Sequence, residues 1–404
     1  MEACQASFRL EDFIVDAPIG QGAFGQIYRA TEQRSGRQFA LKALNRRFLM
    51  KVKKQNQPVL EKNALLRCNC LFVVHLFGTF KDDSNLYFVF ELAEHGDLAE
   101  AINDIGSLNV EVVRLLAAQL LIAMTTCHQN NVIHRDIKPE NILLNANNHV
   151  KLTDFGTALI NNEGTNGLVR SSIVGTPAFV APELLNDGQI CFSSDLWSFA
   201  CVIFNCLTGV APFEGETQPE LMENITAIKL NPAFERLPRH AKDLIMKLLV
   251  LDPTQRIGYG EVKDGYPSIR NHPFFAEVDW KNIYSVKMPL FTKFEEEPPP
   301  TIADDMLDPG EKVVLQGEMM NKRKLSWPER IVFLTSNKRL LLFNPKNNKF
   351  KHEIKLLPGS RVEGVSANGK EWTLNSGKAQ HIFKCKDGTS GMWAATIMRE
   401  MLKQ

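Results

Sequence analysis

The chain has 404 residues, which is too long for one compact domain and suits a large domain followed by a smaller one. Its hydrophobic fraction of 44% and charged fraction of 23% are those of a folded globular protein and exclude disordered and membrane classes. Lysine and arginine (47) nearly balance aspartate and glutamate (46), so no overall field attracts nucleic acid, and we expect no nucleic-acid partner.

Three features of the sequence predict a cytoplasmic location. The eight cysteines have neither the density of a disulfide scaffold nor the paired spacing of a zinc site. The N-terminus has no basic region followed by an apolar stretch, and Glu2 excludes N-myristoylation. The longest apolar run, 115–124, contains Gln119 and is about half of what a bilayer span needs, so we expect a buried helix there.

Residues 1–12 are predicted as an N-terminal extension and residues 13–275 as the larger domain. Short runs rich in β-branched and aromatic residues between Phe13 and Tyr87 predict strands, interrupted by one helix at roughly 58–67. From about Asp97 to Phe275 helical periodicity dominates. The larger domain should therefore have a β-rich part followed by a helical part.

A glycine-rich segment, GQGAFGQI at residues 20–27, lies in the β-rich part and has the GxGxxG pattern. Its glycines let a backbone approach phosphate oxygens, although the pattern alone also fits a tight hairpin or a dinucleotide fold. A dinucleotide fold needs an acidic residue about 20 residues later, and here the basic run FALK follows instead. The predicted nucleotide-binding residues are Gly20, Gln21, Gly22, Ala23, Phe24, Gly25, Ile27, Ala40 and Lys42.

Lys42 in FALK lies on a strand-like run, where a buried ammonium suits the α and β phosphates of ATP if a carboxylate holds it. Glu61 in the helix LEKNALLR is the candidate partner. A lone glutamate on a helix is more often a solvated surface charge, and the functional interpretation depends on the other motifs being present.

The motifs HRDIKPEN and DFG carry the most specific signal in the sequence. This pattern is typical of protein kinases, in which the loop aspartate accepts the proton of the substrate hydroxyl and the asparagine and DFG aspartate hold Mg²⁺. Those roles fall on Asp136, Asn141 and Asp154, and Lys138 is placed to meet the transferring phosphoryl group. A lysine at that position is the serine/threonine pattern. Glu91, Ala93 and Asp97 complete the predicted ATP site, and the predicted cofactors are ATP and Mg²⁺.

The span from Gly20 to Arg256 resembles the protein kinase family, with APE at 181–183 and DLWS at 195–198. The resemblance implies an ion pair between Glu183 and Arg256 and a bracing role for Asp195 under the catalytic loop. It also implies an α+β, bilobal fold with a β-rich small lobe and a helical large lobe.

Acidic residues and prolines in FEEEPPPTIADD predict a linker, and we assign 276–307 to tail and linker. Beyond it, four strand-like runs and a final helix predict a small β domain at 308–404. Its basic segments and Trp393 resemble a pleckstrin-homology domain, a small β-barrel capped by a C-terminal helix. Together with LNRRFLMK, SSDLW and HPFF, this is similar to the AGC group and, within it, to the phosphoinositide-dependent protein kinases.

The resemblance implies an activation-loop phosphosite at Ser172, whose phosphate would pair with Arg135, although Leu159 stands where relatives often have a basic partner. It also implies a small-lobe pocket that docks hydrophobic tails of substrate kinases. The predicted lining is Met50, Leu65, Thr79 and Leu86, with Arg46 or Lys62 near the docked acid. The alternative is ordinary core packing. FTKFEE at 291–296 has the form of such a tail, but a linker is the favoured interpretation.

The predicted lipid-binding residues of the C-terminal domain are Lys322, Arg323, Lys324, Arg330 and Lys351, because lysine and arginine complement phosphate. Pro328 and Glu329 depart from the basic pattern of lipid-binding relatives. Phosphoinositide headgroups at the plasma membrane are therefore one prediction, and protein contact or autoinhibition is the other.

We predict a serine/threonine kinase that transfers the γ-phosphoryl of ATP, acting upstream on activation loops of other AGC kinases. A basophilic effector kinase of the AGC group is the first alternative. A pseudokinase scaffold is the second, although Lys42, Asp136 and Asp154 are all present.

Overall fold

The computed structural model describes residues 8–22, 24–161, 167–171, 177–289, 291–294, 306–322, 328–345, 349–365, 371–377, 379–385 and 390–402. The chain divides into two compact units, Met1–Glu296 and Glu297–Gln404. Each unit has its own buried apolar core among the described residues.

The first unit begins with a five-stranded antiparallel sheet in the order β1-β2-β3-β5-β4. The strands are β1 (Phe13–Gly22), β2 (Gly25–Glu32), β3 (Gln38–Asn45), β4 (Leu76–Lys81) and β5 (Asn85–Glu91). Two helices interrupt it, α1 (Arg46–Lys51) and α2 (Gln57–Arg67). The sequence predicted α2 but not α1, whose six residues are too few for a helical period to show.

The helical part of the first unit is built on two buried helices, α4 and α6. Its helices are α3 (Leu98–Ile105), α4 (Val110–Gln129), α5 (Pro182–Asp187), α6 (Phe192–Thr208), α7 (Gln218–Thr226), α8 (Arg239–Leu248) and α9 (Pro267–Arg270). Three pairs of short strands hold its loops: β6 (Val132–Ile133) with β9 (Leu159–Ile160), β7 (Ile142–Leu144) with β8 (Val150–Leu152), and β10 (Val169–Arg170) with β11 (Gln189–Ile190). The β-rich small lobe and helical large lobe are as predicted.

Helix α4 is the one helix among the described residues that is long and apolar enough to cross a membrane. It packs instead inside the large lobe, where Leu116, Leu120 and Met124 are buried in the main core. The prediction of a buried helix at this run is confirmed.

Residues 276–294, predicted as tail and linker, pack on the large lobe where the structure describes them. Val278, Ile283 and Met288 belong to its core. The backbone around Thr292 pairs with the connection between α3 and α4: Asn109 N donates to Thr292 O at 2.8 Å, and Phe294 N donates to Ser107 O at 3.0 Å. The described part of FTKFEE therefore lies on the large lobe.

The second unit is a seven-stranded antiparallel sheet with one helix, in the order β15-β14-β13-β12-β18-β17-β16. The elements are β12 (Val313–Asn321), β13 (Glu329–Thr335), β14 (Arg339–Phe343), β15 (Phe350–Lys355), β16 (Arg361–Val365), β17 (Glu371–Ser376), β18 (Ala379–Lys384) and α10 (Ser390–Leu402). Trp393 of α10 is buried in the core of this sheet, as predicted. The last three strands were not predicted.

Candidate active site

Lys42 on β3 is the cation at the centre of the cleft between the two lobes. Its Nζ lies 2.6 Å from Glu61 Oε1 on α2 and 3.4 Å from Asp154 Oδ1. Burial alone would lower the pKa of Lys42, but the carboxylates of Glu61 and Asp154 outweigh burial and raise it. The ammonium is therefore charged at neutral pH and is held by two elements that are remote in sequence.

Asp154 adopts a left-handed backbone conformation with φ of 60°, which turns its side chain toward Lys42. Burial would raise the pKa of Asp154, but Lys42 and His134 outweigh burial and lower it. Its side chain remains 45% exposed. An ionised, accessible carboxylate of this kind suits a hard metal cation.

Asp136 is held by the two other polar groups of its loop. Lys138 Nζ lies 3.1 Å from Asp136 Oδ2. Asn141 Nδ2 donates to Asp136 O at 2.7 Å and to Asp136 Oδ2 at 2.9 Å. Because the nitrogen of the Asn141 amide is used in this way, its oxygen is the atom suited to a metal.

The donor set of Asn141 and Asp154 fits Mg²⁺, which prefers oxygen ligands and takes few of them from protein. No cluster of three or more histidine, cysteine or acidic side chains suited to a metal occurs among the described residues. The oxygen atoms of Asn141 and Asp154 would suit a hard divalent cation that takes its remaining ligands from phosphate and water.

Asp195 at the start of α6 fixes the backbone of the catalytic loop. Its carboxylate accepts from His134 N at 2.8 Å, from Arg135 N at 2.9 Å and from His128 Nε2 at 2.8 Å. Burial would raise the pKa of Asp195, but the hydrogen bond from His128 and the charges of the two histidines lower it. The predicted bracing role matches these contacts, which hold Arg135 at a φ of 71°.

The predicted ion pair of Glu183 and Arg256 is present and bidentate. Arg256 Nη1 donates to Glu183 Oε1 at 2.7 Å and Nη2 donates to Oε2 at 2.6 Å, with both side chains buried. Fork-to-fork pairs of this geometry fix orientation as well as charge. The pair holds α5 against the loop that follows α8.

The glycine-rich segment forms the turn between β1 and β2, with Gly22 paired to Gly25. A Cβ atom on Gly25 would lie 1.7 Å from Ala43 O, so only glycine fits there. A Cβ atom on Gly22 would lie 3.9 Å from Lys42 Cε, which places the hairpin end beside the lysine. The remaining residues of the segment lie on this hairpin, except Ala23, which is outside the described residues.

Glu91, predicted to contact ATP, uses its side chain within the protein. Oε1 accepts from His75 N at 2.7 Å, and Oε2 lies 2.8 Å from Lys151 Nζ on β8. The side chain therefore links the small lobe to the large lobe, and the backbone N of Glu91 also donates within the protein, to His75 O at 3.0 Å. Asp97 caps α3 by accepting from Glu100 N at 2.8 Å, and Ala93 lies half-buried in the connection between the lobes.

Lys151 is a site residue that the sequence analysis missed. It is buried on an apolar strand three residues before Asp154. A buried lysine needs a carboxylate partner, and this rule is the signal that was available. The partner itself, on a strand 60 residues earlier, was not readable from spacing.

Arg135 donates from Nη1 to Ser171 Oγ at 2.6 Å and from Nε to Thr157 O. Burial lowers the pKa of Arg135. Ser172, the predicted phosphosite, lies outside the described residues. Leu159, which stands where relatives often have a basic residue, lies on β9 and pairs with Ile133. Its apolar side chain adds no charge beside Arg135.

A groove of about 640 Å³ lies between α2 and the sheet of the small lobe. Among its lining residues are Pro58, Val59, Lys62, Thr79 and Leu86, and Lys62 Nζ donates to Thr79 Oγ1 at 3.0 Å. Met50 and Leu65, which were also predicted to line such a pocket, are not among the residues around this groove: Met50 is exposed on α1, and Leu65 is buried in the core. Arg46 donates to Asp82 O at 3.0 Å.

Three of the five predicted lipid-binding residues are described. Arg330 lies on β13, and its Nη1 donates to Glu329 O at 2.6 Å. Lys322 follows β12, and its backbone N donates to Ile382 O at 2.8 Å. Lys351 lies at an irregularity of β15. Arg323 and Lys324 lie outside the described residues.

The bilobal fold and the cleft built from Lys42, Glu61, Asp136 and Asp154 define a protein kinase, and the comparisons agree. Residues 13–275 match the protein kinase domain family, and residues 302–404 match the PH domain family. The chain belongs to the protein kinase family, whose members use ATP and a divalent metal ion.

Individual relatives indicate which protein kinases the chain is similar to. "3-phosphoinositide-dependent protein kinase 1" of Homo sapiens is 38% identical over 287 residues, which cover 71% of this chain and 51% of the relative. "Putative 3-phosphoinositide-dependent protein kinase 2" of Homo sapiens is 37% identical, with 71% of this chain and 72% of the relative covered. "Serine/threonine-protein kinase PKH1" of Saccharomyces cerevisiae is 37% identical, with 68% and 36% covered.

The predicted resemblance to the phosphoinositide-dependent protein kinases with a C-terminal pleckstrin-homology domain is confirmed. The match with the first of these relatives spans about half of that protein's length.

Proposed function

We propose that this chain is an ATP-dependent serine/threonine protein kinase that acts upstream on activation loops of other AGC kinases. The observation that carries the proposal is the position of Lys42, 2.6 Å from Glu61 and 3.4 Å from Asp154. This arrangement assembles the phosphate-binding lysine and a metal-binding aspartate in one cleft. Mg²⁺ bound at Asn141 and Asp154 would neutralise charge on the phosphate oxygens.

The side chains of this chain then have separate tasks. Lys42 binds phosphate oxygens from the side of the small lobe. Asp136 orients the substrate hydroxyl and accepts its proton, and Lys138, 3.1 Å from Asp136, stabilises negative charge on the transferring group. Asp195 keeps the loop rigid through the backbone of His134 and Arg135. Positioning and charge therefore do most of the catalysis.

The geometry argues against the pseudokinase alternative. A scaffold without activity has no need for a buried lysine held by two carboxylates, because burying such charges costs free energy. The effector-kinase alternative is less favoured because the sequence has no FxxF[ST][FY] tail motif. The names of the relatives support the upstream role.

The direct test is phosphorylation of an unphosphorylated AGC kinase domain with ATP and Mg²⁺. Wild type should place phosphate on the activation loop of that domain, whereas Asp154→Ala should lose at least about a hundredfold in rate. A wild-type protein that phosphorylates a basic peptide but not the kinase domain would contradict the upstream role. Wild type inactive toward both substrates would favour the scaffold.

We also propose that the groove between α2 and the sheet docks the hydrophobic tail of a substrate kinase. Leu86 lies in it beside Thr79, and Lys62 is a cation at its edge. Leu86→Glu should reduce phosphorylation of a tail-bearing kinase about tenfold and leave a short peptide substrate unaffected. Equal loss with both substrates would indicate damaged core packing instead.

Ser172 is the proposed autophosphorylation site. Arg135 is the half-buried cation that a phosphate on this segment would pair with, and its contact with the neighbouring Ser171 supports its orientation toward the segment. Mass spectrometry of an active preparation should find phosphate at Ser172. Full activity without phosphate on this segment would exclude the switch.

For the second unit we propose binding of phosphoinositide headgroups, which would recruit a cytoplasmic protein to the plasma membrane. The match to the PH domain family and the basic residues Lys322, Arg330 and Lys351 support it. Co-sedimentation with phosphatidylcholine vesicles containing phosphorylated inositides should exceed that with plain vesicles. It should be lost in the Lys322→Ala, Lys324→Ala double variant, and equal sedimentation with both vesicles would favour a role in protein contact.

A further inference from the structure

His352 and His381 face each other at one end of the second unit. Their ring centroids are 6.2 Å apart, although three strands separate β15 from β18 in the sheet order. Neighbouring strands lie about 4.8 Å apart, so two rings on a flat sheet would be roughly 19 Å apart. The sheet therefore curls at this end and brings its two sides together.

Both rings project from the inner face of the sheet. His352 pairs with Leu342 and His381 pairs with Leu374, and both leucines belong to the inner core. Each histidine lies two residues before another core residue on its strand, Ile354 or Phe383, and therefore on the same face.

Arg330 and Asn321 belong to the same inner face and the same end. Arg330 pairs with Met319, and Asn321 pairs with Phe383, both of them core residues. Arg330 lies on β13, the central strand of the five from β15 to β18 in the sheet order. The strands that carry His352 and His381 are the outer two of these five. We call Asn321, Arg330, His352 and His381 the inner polar set.

Asn321 contributes a buried side-chain donor that is not satisfied by the described residues. Its side chain is buried, with the residue 8% exposed, and Nδ2 has no hydrogen-bond partner in the part of the chain that the structure describes. A buried amide donor without an acceptor is unfavourable, so it favours a ligand that supplies oxygen atoms. Exposure then increases outward, from half-buried His381 and Arg330 to exposed His352.

The described charged residues at this end of the strands that carry the inner polar set are mainly basic. They are Lys322 after β12, Glu329 and Arg330 on β13, Lys349 and Lys351 at β15, and the pair of Glu371 and Lys384 on β17 and β18, while Glu353 next to His352 pairs with Arg339. Burial and the neighbouring His352 lower the pKa of His381. An anion between the rings would reverse this effect and favour the protonated imidazoles.

We propose that the inner polar set binds phosphomonoester groups and takes up protons on His352 and His381 when it does so. This rests on the proposed binding of phosphoinositide headgroups and adds residues and a pH dependence to it. Asn321 and Arg330 supply donors at any pH, whereas the imidazoles supply charge only when protonated. Affinity should therefore rise as pH falls from about 7.5 to about 6.

The small number of histidines in the second unit allows their contribution to binding to be tested with a single double variant. Only two of the nine histidines follow residue 296, and both belong to the inner polar set. Three full-length proteins are compared: wild type, the double variant His352→Gln, His381→Gln, and the control variant His240→Gln. The control changes an exposed histidine of the first unit. Binding is measured at about pH 7.5 and about pH 6 to phosphatidylcholine vesicles containing phosphorylated inositides and, separately, to soluble inositol hexakisphosphate.

Wild type and His240→Gln should bind about three- to tenfold more tightly at the lower pH. The double variant should lose that gain. Protonation of the phosphates themselves, with a pKa near 6, opposes the effect equally in all three proteins, so the difference between variants reports the imidazoles. Unchanged thermal unfolding of the double variant shows that the fold is intact. A second variant, Asn321→Leu, should weaken binding at both pH values.

The outcomes separate this inference from the proposed membrane function. If vesicles bind but the double variant keeps the pH dependence, the inference is wrong and headgroup binding stands. If vesicles do not bind but the soluble phosphate binds with histidine-dependent pH sensitivity, the anion site stands and the membrane function fails. Wild type that binds neither probe at either pH overturns both.

Discussion

The cleft of the first unit and the inner polar set of the second unit both gather cations suited to phosphate, but they do so differently. In the cleft, carboxylates hold the cation: Lys42 lies between Glu61 and Asp154. At the inner polar set, two histidines lie 6.2 Å apart on strands that the curled sheet brings together. The first arrangement holds its cation between carboxylates in the free protein, whereas we propose that the second gains charge only when an anion binds between its imidazoles. A cleft for catalysis needs a constant charge, and a reversible contact with a ligand gains from a variable one.

The largest expected effect comes from a substitution that abolishes catalysis in the cleft and leaves ligand binding by the second unit unchanged. Asp136→Asn should lower kcat by about 10²–10⁴-fold, because the group that accepts the hydroxyl proton is lost. ATP affinity should change little, since Lys42 and Asp154 remain in place. Steady-state kinetics and nucleotide titration check this. Binding of inositol hexakisphosphate by the second unit should stay at the wild-type value, and a parallel loss there would contradict the independence of the two sites.

The second unit also contains an arginine held by carboxylates, Arg339, on the face of the sheet opposite the inner face. Arg339 pairs with Glu311, Asp308 and Glu353 and donates to Met306 O. Arg339→Met should destabilise this unit by about 3 kcal/mol, because Glu311 is left buried and unpaired.

Denaturant unfolding followed by hydrogen exchange of β13 and β14 measures this loss. Arg399→Met, an exposed arginine on α10, is the matched control and should change stability by less than about 0.5 kcal/mol. Equal effects of the two substitutions would show that the ion-pair network adds no stability.

The same network predicts an acid dependence. Burial would raise the pKa of Glu311, but the hydrogen bond and charge of Arg339 lower it from its ordinary value of 4.5 to about 2. The folded-state pKa is below the unfolded one, so the stabilisation is complete above pH 4.5 and is lost as pH falls toward 2. The stability difference between wild type and Glu311→Gln should therefore shrink over that range, as measured by hydrogen exchange. A constant difference would be inconsistent with a titrating Glu311.

The smallest expected effect concerns the ion pair of Lys151 and Glu91, which lies beside the cleft and not among the groups assigned to phosphoryl transfer. Lys151→Met removes the cation 2.8 Å from Glu91 and leaves the carboxylate with His75 N alone. The connection between the lobes should be less well fixed, which raises KM for ATP about three- to tenfold with kcat nearly unchanged. Steady-state kinetics measures both values, and an equal fall in kcat would place Lys151 in the chemical step.

Much of the cleft was readable from sequence because its residues lie in short motifs whose spacing is set by local backbone. HRDIKPEN and DFG fix Asp136, Lys138, Asn141 and Asp154 within one loop and the strand pair β7 and β8. Partners from distant strands were not readable in this way. Lys151 and Glu91, and His352 and His381, come together only through sheet order and curl.

Some elements escaped prediction for a different reason. Strands β16 and β18 mix polar and apolar residues without clear alternation. Strand β17 does alternate, with Trp372 and Leu374 buried, and the sequence analysis overlooked this pattern. Residues 276–294 fell within the predicted tail and linker, 276–307, which was assigned from the acidic run and three prolines that follow Phe294. Docking on the large lobe, which decides their conformation, leaves no local signal.

That docked segment determines where the protein can be divided. The kinase family match ends at residue 275, yet Val278, Ile283 and Met288 lie beyond it in the core of the large lobe. A fragment cut at the family boundary would expose the core residues that these side chains cover and should be prone to aggregation. A fragment that contains the first unit alone should therefore extend at least to Phe294, whose backbone N still donates to Ser107 O on the large lobe.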